Sequence, residues 1–457
     1  MKKNLLAGLF MSAVIMLSCS SDDNGGAAPV DPTGMVELSG NLDTRTLTKD
    51  KKYLLKGQVF VRDGKTLTIE PGTVIFGDKA TKGTLVIDRG GKIMAEGTAA
   101  EPIVMTSGQP AGTRDRGDWG GLVVLGRAKT NQVDPAIEGI TPEVIFGGND
   151  DNDNSGIMKY LRVEFAGIEL TPNNETNSIT LGGVGKSTVM DYCMVSFGGD
   201  DGFEWFGGNV DSKHLISFAS WDDSFDVDFG FSGRVQFGLE VRYPSYADQS
   251  GSNSFECDNG PNDNVTELLT TGVFSNFTLV GPRLTSNQSI SGNYQHSLDL
   301  RRRTAVTIAN SVFVGYPRGI RMNHQSVVDN YTAGTGKLLN NVMVANAQTF
   351  LAGSGVSATD VENLWTATNT TITDSDFAAV YAGLGLNTNI FFGNNINTAY
   401  SANPAFAVTS GSLTSGASFT DSKLANSYFE QVNYIGAFGS TDWTDGWAEF
   451  NPINKQY

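Results

Sequence analysis

Leu161, Val163 and Phe165 alternate with Arg162 and Glu164. The alternation returns as Cys193, Val195 and Phe197, then as Leu215, Ser217 and Ala219, then as Phe237, Leu239 and Val241. A period of two marks a strand with one face buried. The last two steps are 22 residues each, and a constant offset lays each strand on its predecessor. Phe197 beside Ala219 then reads as large-against-small filling of a narrow interior. The first step is 32 residues, which predicts a longer loop around Thr171 to Thr176.

Nearer the start, Thr66-Leu67-Thr68-Ile69 returns as Thr84-Leu85-Val86-Ile87 at an offset of 18. Further rungs are predicted at Glu101 to Thr106, Trp119 to Leu125, Gly272 to Val280, Val306 to Val314 and Leu338 to Val344. Asn recurs within the later ones and suits a stacked ladder at a coil corner. Val361 to Tyr381 reads as a loop or a short helical excursion. These features predict an all-β chain forming a single right-handed parallel β-helix with coils of about 18–22 residues. A β-sandwich of similar strands leaves the constant offset unexplained. A short tether precedes the solenoid, and the aromatic end around Tyr434 to Trp447 is predicted to cap it.

Composition adds location. Lys2, Lys3 and the apolar run Leu5 to Leu17 form a secretory signal over residues 1–18, too short to span a bilayer. Met16-Leu17-Ser18-Cys19 resembles a bacterial lipobox, which implies lipidation at Cys19. Ser20-Ser21-Asp22-Asp23-Asn24 resembles the surface-export signal of Bacteroidota lipoproteins. Residues 19–34 then form a flexible tether and residues 35–457 the β-helix domain, with its cap from about 430. The net charge of −17 argues against nucleic acid and in favour of cationic partners. Cys193 and Cys257 are expected as separate thiols. His214, His296 and His324 lack zinc-site spacing.

The candidate chemistry lies in a repeated phrase. Asp200-Asp201-Gly202-Phe203-Glu204-Trp205 is followed at 22 residues by Asp222-Asp223-Ser224-Phe225-Asp226-Val227. In a parallel stack, equivalent positions lie about 4.8 Å apart. Asp200 would meet Asp222, Asp201 would meet Asp223, and Glu204 would meet Asp226. Like charges so placed raise one another's pKa. Calcium, which takes several carboxylate oxygens, is one counter-charge. An arginine from a neighbouring coil, Arg301 or Arg321, is another. A solvent-exposed turn that tolerates the repulsion is the third reading. Phe203 and Phe225 are expected in the core, whereas Trp205 and Trp221 are expected to be partly exposed. With Glu204, Asp226, Arg301 and Arg321, those two tryptophans make a candidate glycan-binding face. Asp151 and Asp153, in Asp150-Asp151-Asn152-Asp153-Asn154-Ser155-Gly156, form a second candidate calcium loop without the glutamate of an EF-hand. Gly182-Gly183-Val184-Gly185-Lys186-Ser187 lacks the first glycine of a P-loop and reads as a turn.

Several phrases resemble a family of bacterial surface or outer-membrane lipoproteins with parallel β-helix character, widespread in Bacteroidota and Proteobacteria. They are Gly147-Gly148-Asn149-Asp150-Asp151, Tyr160 to Gly167, Leu181 to Gly185, Asp200 to Gly208 and Trp443 to Trp447. The resemblance covers most of the mature chain. It implies nutrient capture beside a TonB-dependent receptor, with no organic cofactor. The Gly-Asp-Asp phrase also looks like the acid pair of polygalacturonase-type glycosidases, but the Gly-His-Gly that should follow is missing. Polysaccharide lyases on this fold pair calcium with a Lys or Arg base. The expected function is non-catalytic binding of a glycan or glycopeptide at the cell surface. The alternatives are a calcium-assisted lyase or hydrolase using Asp200, Asp201, Asp222 and Asp223, and a structural or adhesive rod.

Overall fold

A computed structural model describes residues 34–171, 174–344, 348–373, 376–392, 400–401 and 404–457. The predicted signal, Cys19 and nearly all of the predicted tether lie outside these residues. Each turn of the chain lays down strands that pair in parallel with their equivalents on the turns before and after. Val189–Ser196, for example, lies between Gly156–Glu164 and Ser212–Phe218. The stack runs from Val36–Leu42 to Thr370–Ile372 and forms an all-β parallel β-helix.

The chain turns its corners through residues in the left-handed region. Tyr160, Tyr192, His214, Phe237, Asn276, Asn310 and Asn340 occupy one corner, with φ between 46° and 65°. Such φ values are costly for a side chain larger than Asn. Stacking offsets the cost: Tyr160 on Tyr192 at 4.4 Å, Tyr192 on His214 at 4.1 Å, His214 on Phe237 at 5.1 Å. From Asn276 onward the corner carries Asn. A separate asparagine stack runs through Ser311, Asn341 and Asn369, where each amide oxygen accepts the N–H of the preceding coil.

Three register expectations are corrected. Thr66–Ile69 pairs with Lys92–Glu96, and Thr84–Ile87 pairs with the end of Lys52–Val61, each 26 residues away. The offset of 18 therefore linked two strands on different faces of the coils. Leu215 pairs with Gly238 rather than Phe237, because the coil through Gly233 holds one residue more. Phe237, Leu239 and Val241 consequently face outward, and Glu240 takes the inward place beside Ser217. Phe165, Phe197 and Ala219 also leave the interior. A positive φ at each turns the chain there, and their side chains join an outer cluster.

Glu169–Thr171 and Asn174–Glu175 form a small hairpin in the predicted long loop. The predicted excursion, Val361 to Tyr381, overlaps Ala358–Thr366, contains Thr370–Ile372 and takes in the start of Phe377–Leu384. Val361 and Trp365, one helical turn apart, enter the main core, with Trp365 edge-on to Phe313 at 6.2 Å. This helix covers the last coils. The aromatic C-terminal segment lies instead along the flank. Trp447 meets Tyr160, Trp443 meets His214 and Phe450 meets Phe218 at 5.8, 5.1 and 5.2 Å. The Tyr457 hydroxyl donates to buried Glu164 at 2.6 Å. Cys193 and Cys257 are buried free thiols.

Candidate functional site

One column of strands carries the repeated phrase: Phe203–Phe206, Phe225–Asp228, Phe255–Cys257, His296–Leu300 and Arg318–Met322. Alternation sends Phe203, Trp205, Phe225, Val227, Phe255 and Cys257 into the core. The position between them faces outward on every rung. Glu204 therefore adjoins Asp226, Asp226 adjoins Glu256, Glu256 adjoins Asp299, and Asp299 adjoins Arg321. The far end is neutralised. Arg321 Nε donates to Asp299 at 2.7 Å, while Arg301 bonds Asp258 at 2.5 Å and also Glu256. The near end, at Glu204 and Asp226, meets no such partner among the described residues.

The turn entering this column adds a second stack. Asp201 Oδ1 accepts the N–H of Asp223 at 2.8 Å, Asp223 Oδ1 accepts that of Asn253, and Asn253 Oδ1 accepts that of His296 at 3.0 Å. Where an Asn fills this position, its amide also donates to the acid three residues on, as Asn253 does to Glu256 at 3.2 Å. Asp201 and Asp223 have no N–H to give to Glu204 and Asp226. Three sets of carboxylates result, each converging within 4.8 Å: Asp200/Asp201/Asp222, Asp201/Glu204/Asp226 and Asp223/Asp226/Glu256. Oδ1 of Asp222 and Oδ1 of Asp226 are buried with no hydrogen-bond partner. Burial, reinforced by neighbouring carboxylates, holds Asp200, Asp201, Glu204, Asp223 and Asp226 well above the usual carboxylate range. It pushes Asp228 up to about 7 and Glu256 to about 8. Buried Arg242 partly opposes the rise at Asp222 and Asp223. Close, under-bonded carboxylate oxygens suit a hard divalent cation such as calcium.

Two cavities open on this cluster, and Asp200 and Glu175 line both. The larger, about 1070 Å³, also holds Arg116, Trp221 and Asp248. Arg116 lies 3.4 Å above the Trp221 ring, and Trp221 Nε1 donates to Asp248 at 2.8 Å. The smaller, about 330 Å³, sets Asp201, Glu204 and Asn177 against Phe146, Phe206 and Phe229.

The family described as "Pectate-lyase like beta helix domain" matches residues 40–448. The chain belongs to this family. The solved pectate lyase Pel9A is 12% identical, with 81% of this chain and 89% of that one covered and a TM-score of 0.36. No curated protein matches the chain.

In this pectate-lyase-like β-helix the predicted pairs meet as expected: Asp200 with Asp222, Asp201 with Asp223, Glu204 with Asp226. Trp205 departs from expectation. It is fully buried, because it shares the inward face with Phe203. Trp221 is half-buried, but Arg116 covers one face of its ring. The two predicted arginines reach the acidic column as structural partners of its far rungs. Asp151 and Asp153 turn to different partners: Lys129 at 2.8 Å for Asp151, and Ser155 Oγ at 3.2 Å and the Gly185 N–H for Asp153. They do not converge as a calcium loop requires. Glu256 and Asp299 escaped the sequence reading because the coils before them are 30 and 43 residues long. Phe146, Phe206 and Phe229 carried a signal, since each precedes a glycine of positive φ.

Proposed function

We propose that this protein is a Bacteroidota-type outer-membrane lipoprotein, anchored through a lipid on Cys19 and exposed at the cell surface. It binds calcium at the Asp200/Asp201/Asp222 and Asp223/Asp226/Glu256 groups. Through the adjoining cleft it binds a glycan or glycopeptide without catalysis, as an accessory to a TonB-dependent receptor. The observation that carries this reading is the convergence of under-bonded carboxylates beside that cleft. The lipobox, the acidic residues behind it and the lipoprotein-like phrases support the location. Arg301 and Arg321, the sequence's candidates for a lyase base, are both engaged by carboxylates.

A second reading is calcium-assisted polysaccharide elimination. The family description favours it, and Arg116 is the guanidinium that shares a cleft with Asp200. A glycan panel scored for both binding and unsaturated product separates the two. Calcium-dependent binding without product is expected. Product that disappears in Asp222→Asn overturns the non-catalytic reading. External protease on intact cells tests the location, and a protein spared by it overturns surface exposure.

A further inference from the structure

The lining of the 330 Å³ cavity holds the carboxyl groups of Asp200, Asp201 and Glu204 together with Phe146, Phe206 and Phe229. Phe206 lies 5.0 Å from Phe229 at 53°, and 6.2 Å from Phe146 at 44°. Rings tilted in this way give a cavity aromatic walls in more than one direction. Neither Lys nor Arg is among the lining residues. Asn177, only 5% exposed, lines the same space; its amide nitrogen donates to Glu204, while its Oδ1 is buried without a partner. Asn177 thus orients Glu204 at the edge of this space.

A hard metal ion satisfies only half of this surface, because carbon walls cannot replace its oxygen shell. A neutral apolar ligand satisfies the other half and leaves the carboxylates facing hydrocarbon. A cation with its own apolar surface fits both. Ring faces attract it through their quadrupole, its own charge favours ionisation of carboxyl groups that otherwise hold their protons, and the −17 net charge draws it in. The volume is at the lower end of ordinary ligand pockets, which suits a small molecule.

We propose that this cavity is a binding site for a small quaternary or alkyl ammonium compound, held between the phenylalanine cage and the Glu204 side of the acidic column. This site shares Asp200 and Asp201 with the proposed calcium site but does not rest on that reading.

The probe is choline, titrated calorimetrically in calcium-free buffer beside 3,3-dimethylbutan-1-ol, which has the same shape without the charge. Choline is expected to bind, and the alcohol to bind at least about tenfold more weakly. Phe206→Leu and Phe229→Leu keep an apolar wall but remove a ring, and Glu204→Gln removes a carboxyl group that the bound cation would ionise. Each is expected to weaken choline by about tenfold while circular dichroism stays that of the parent. Equal binding of the two probes overturns the proposal. So does an unchanged choline affinity in both phenylalanine variants, or the absence of choline binding at millimolar concentration. A parallel calcium titration, run without choline, reads the overlapping calcium site. Calcium binding without choline binding removes this proposal and leaves the calcium reading standing; the reverse result does the opposite.

Discussion

The carboxylate of Asp201 accepts the backbone N–H of Asp223, 2.8 Å away and one coil further along. An acceptor, rather than a charge, ties these two rungs together. Asp201→Asn keeps the acceptor and relieves the crowding of carboxylates. In calcium-free denaturation it should be as stable as the parent or more so. Asp201→Ala strands a buried N–H and should cost about 1–3 kcal/mol. An Asn variant as unstable as the Ala variant would show that charge holds the rungs.

Calcium should raise the melting temperature. A ligand that binds only the folded state at a hundredfold excess over its dissociation constant adds about 2.7 kcal/mol. Asp222→Asn and Asp226→Asn, which each remove a carboxylate's charge and one of its two oxygens, should abolish most of the shift. No shift at about 1 mM calcium, where extracellular sites fill, would count against the site.

Without calcium, stability should fall as pH rises. Carboxylates with raised pKa values keep protons in the folded state that the unfolded chain has already lost. The folded state therefore binds more protons, and its advantage fades as those groups ionise. With Asp228 near 7 and Glu256 near 8, the loss should run from about pH 4 to about pH 8. Calcium competes with the same protons, so its affinity should climb across this window. Melting curves in chelator at both ends of the window check the sign. A melting temperature that rises with pH would contradict it.

The flanking C-terminal segment should be a substantial source of stability. Trp447 packs edge-on against both Tyr160 and Tyr192, each at 5.8 Å. Trp447→Ala should cost about 3–5 kcal/mol in urea denaturation. Tyr457→Phe deprives buried Glu164 of a donor and should cost about 1–3 kcal/mol.

Much of the solenoid was legible because alternation and offset are local properties. Cys193 over Leu215 and Glu204 over Asp226 follow from counting alone. Counting failed where a coil changed length. One extra residue set Leu215 against Gly238, and the 30-residue coil hid Glu256 from Asp226. Trp205 was misplaced because its acidic neighbours suggested a surface, although its parity with Phe203 already placed it inside. Arg116 was out of reach, since 105 residues separate it from the Trp221 ring that it covers.

The left-handed corner column has a consequence for how this protein can evolve. Solenoids commonly lengthen or shorten by whole coils, since each repeat touches only its neighbours. Here the C-terminal segment reads that column as a ruler. It meets Tyr160 and His214 through tryptophans, Asn276 through the Tyr434 carbonyl, and Asn310 through Ser418 and Gly436. A coil gained or lost between Tyr160 and Asn310 would shift part of these markings by one rung against the rest. Coil number within that span is thus tied to a segment that contributes no strand of its own among the described residues, and inserting or deleting a coil there should break part of these contacts.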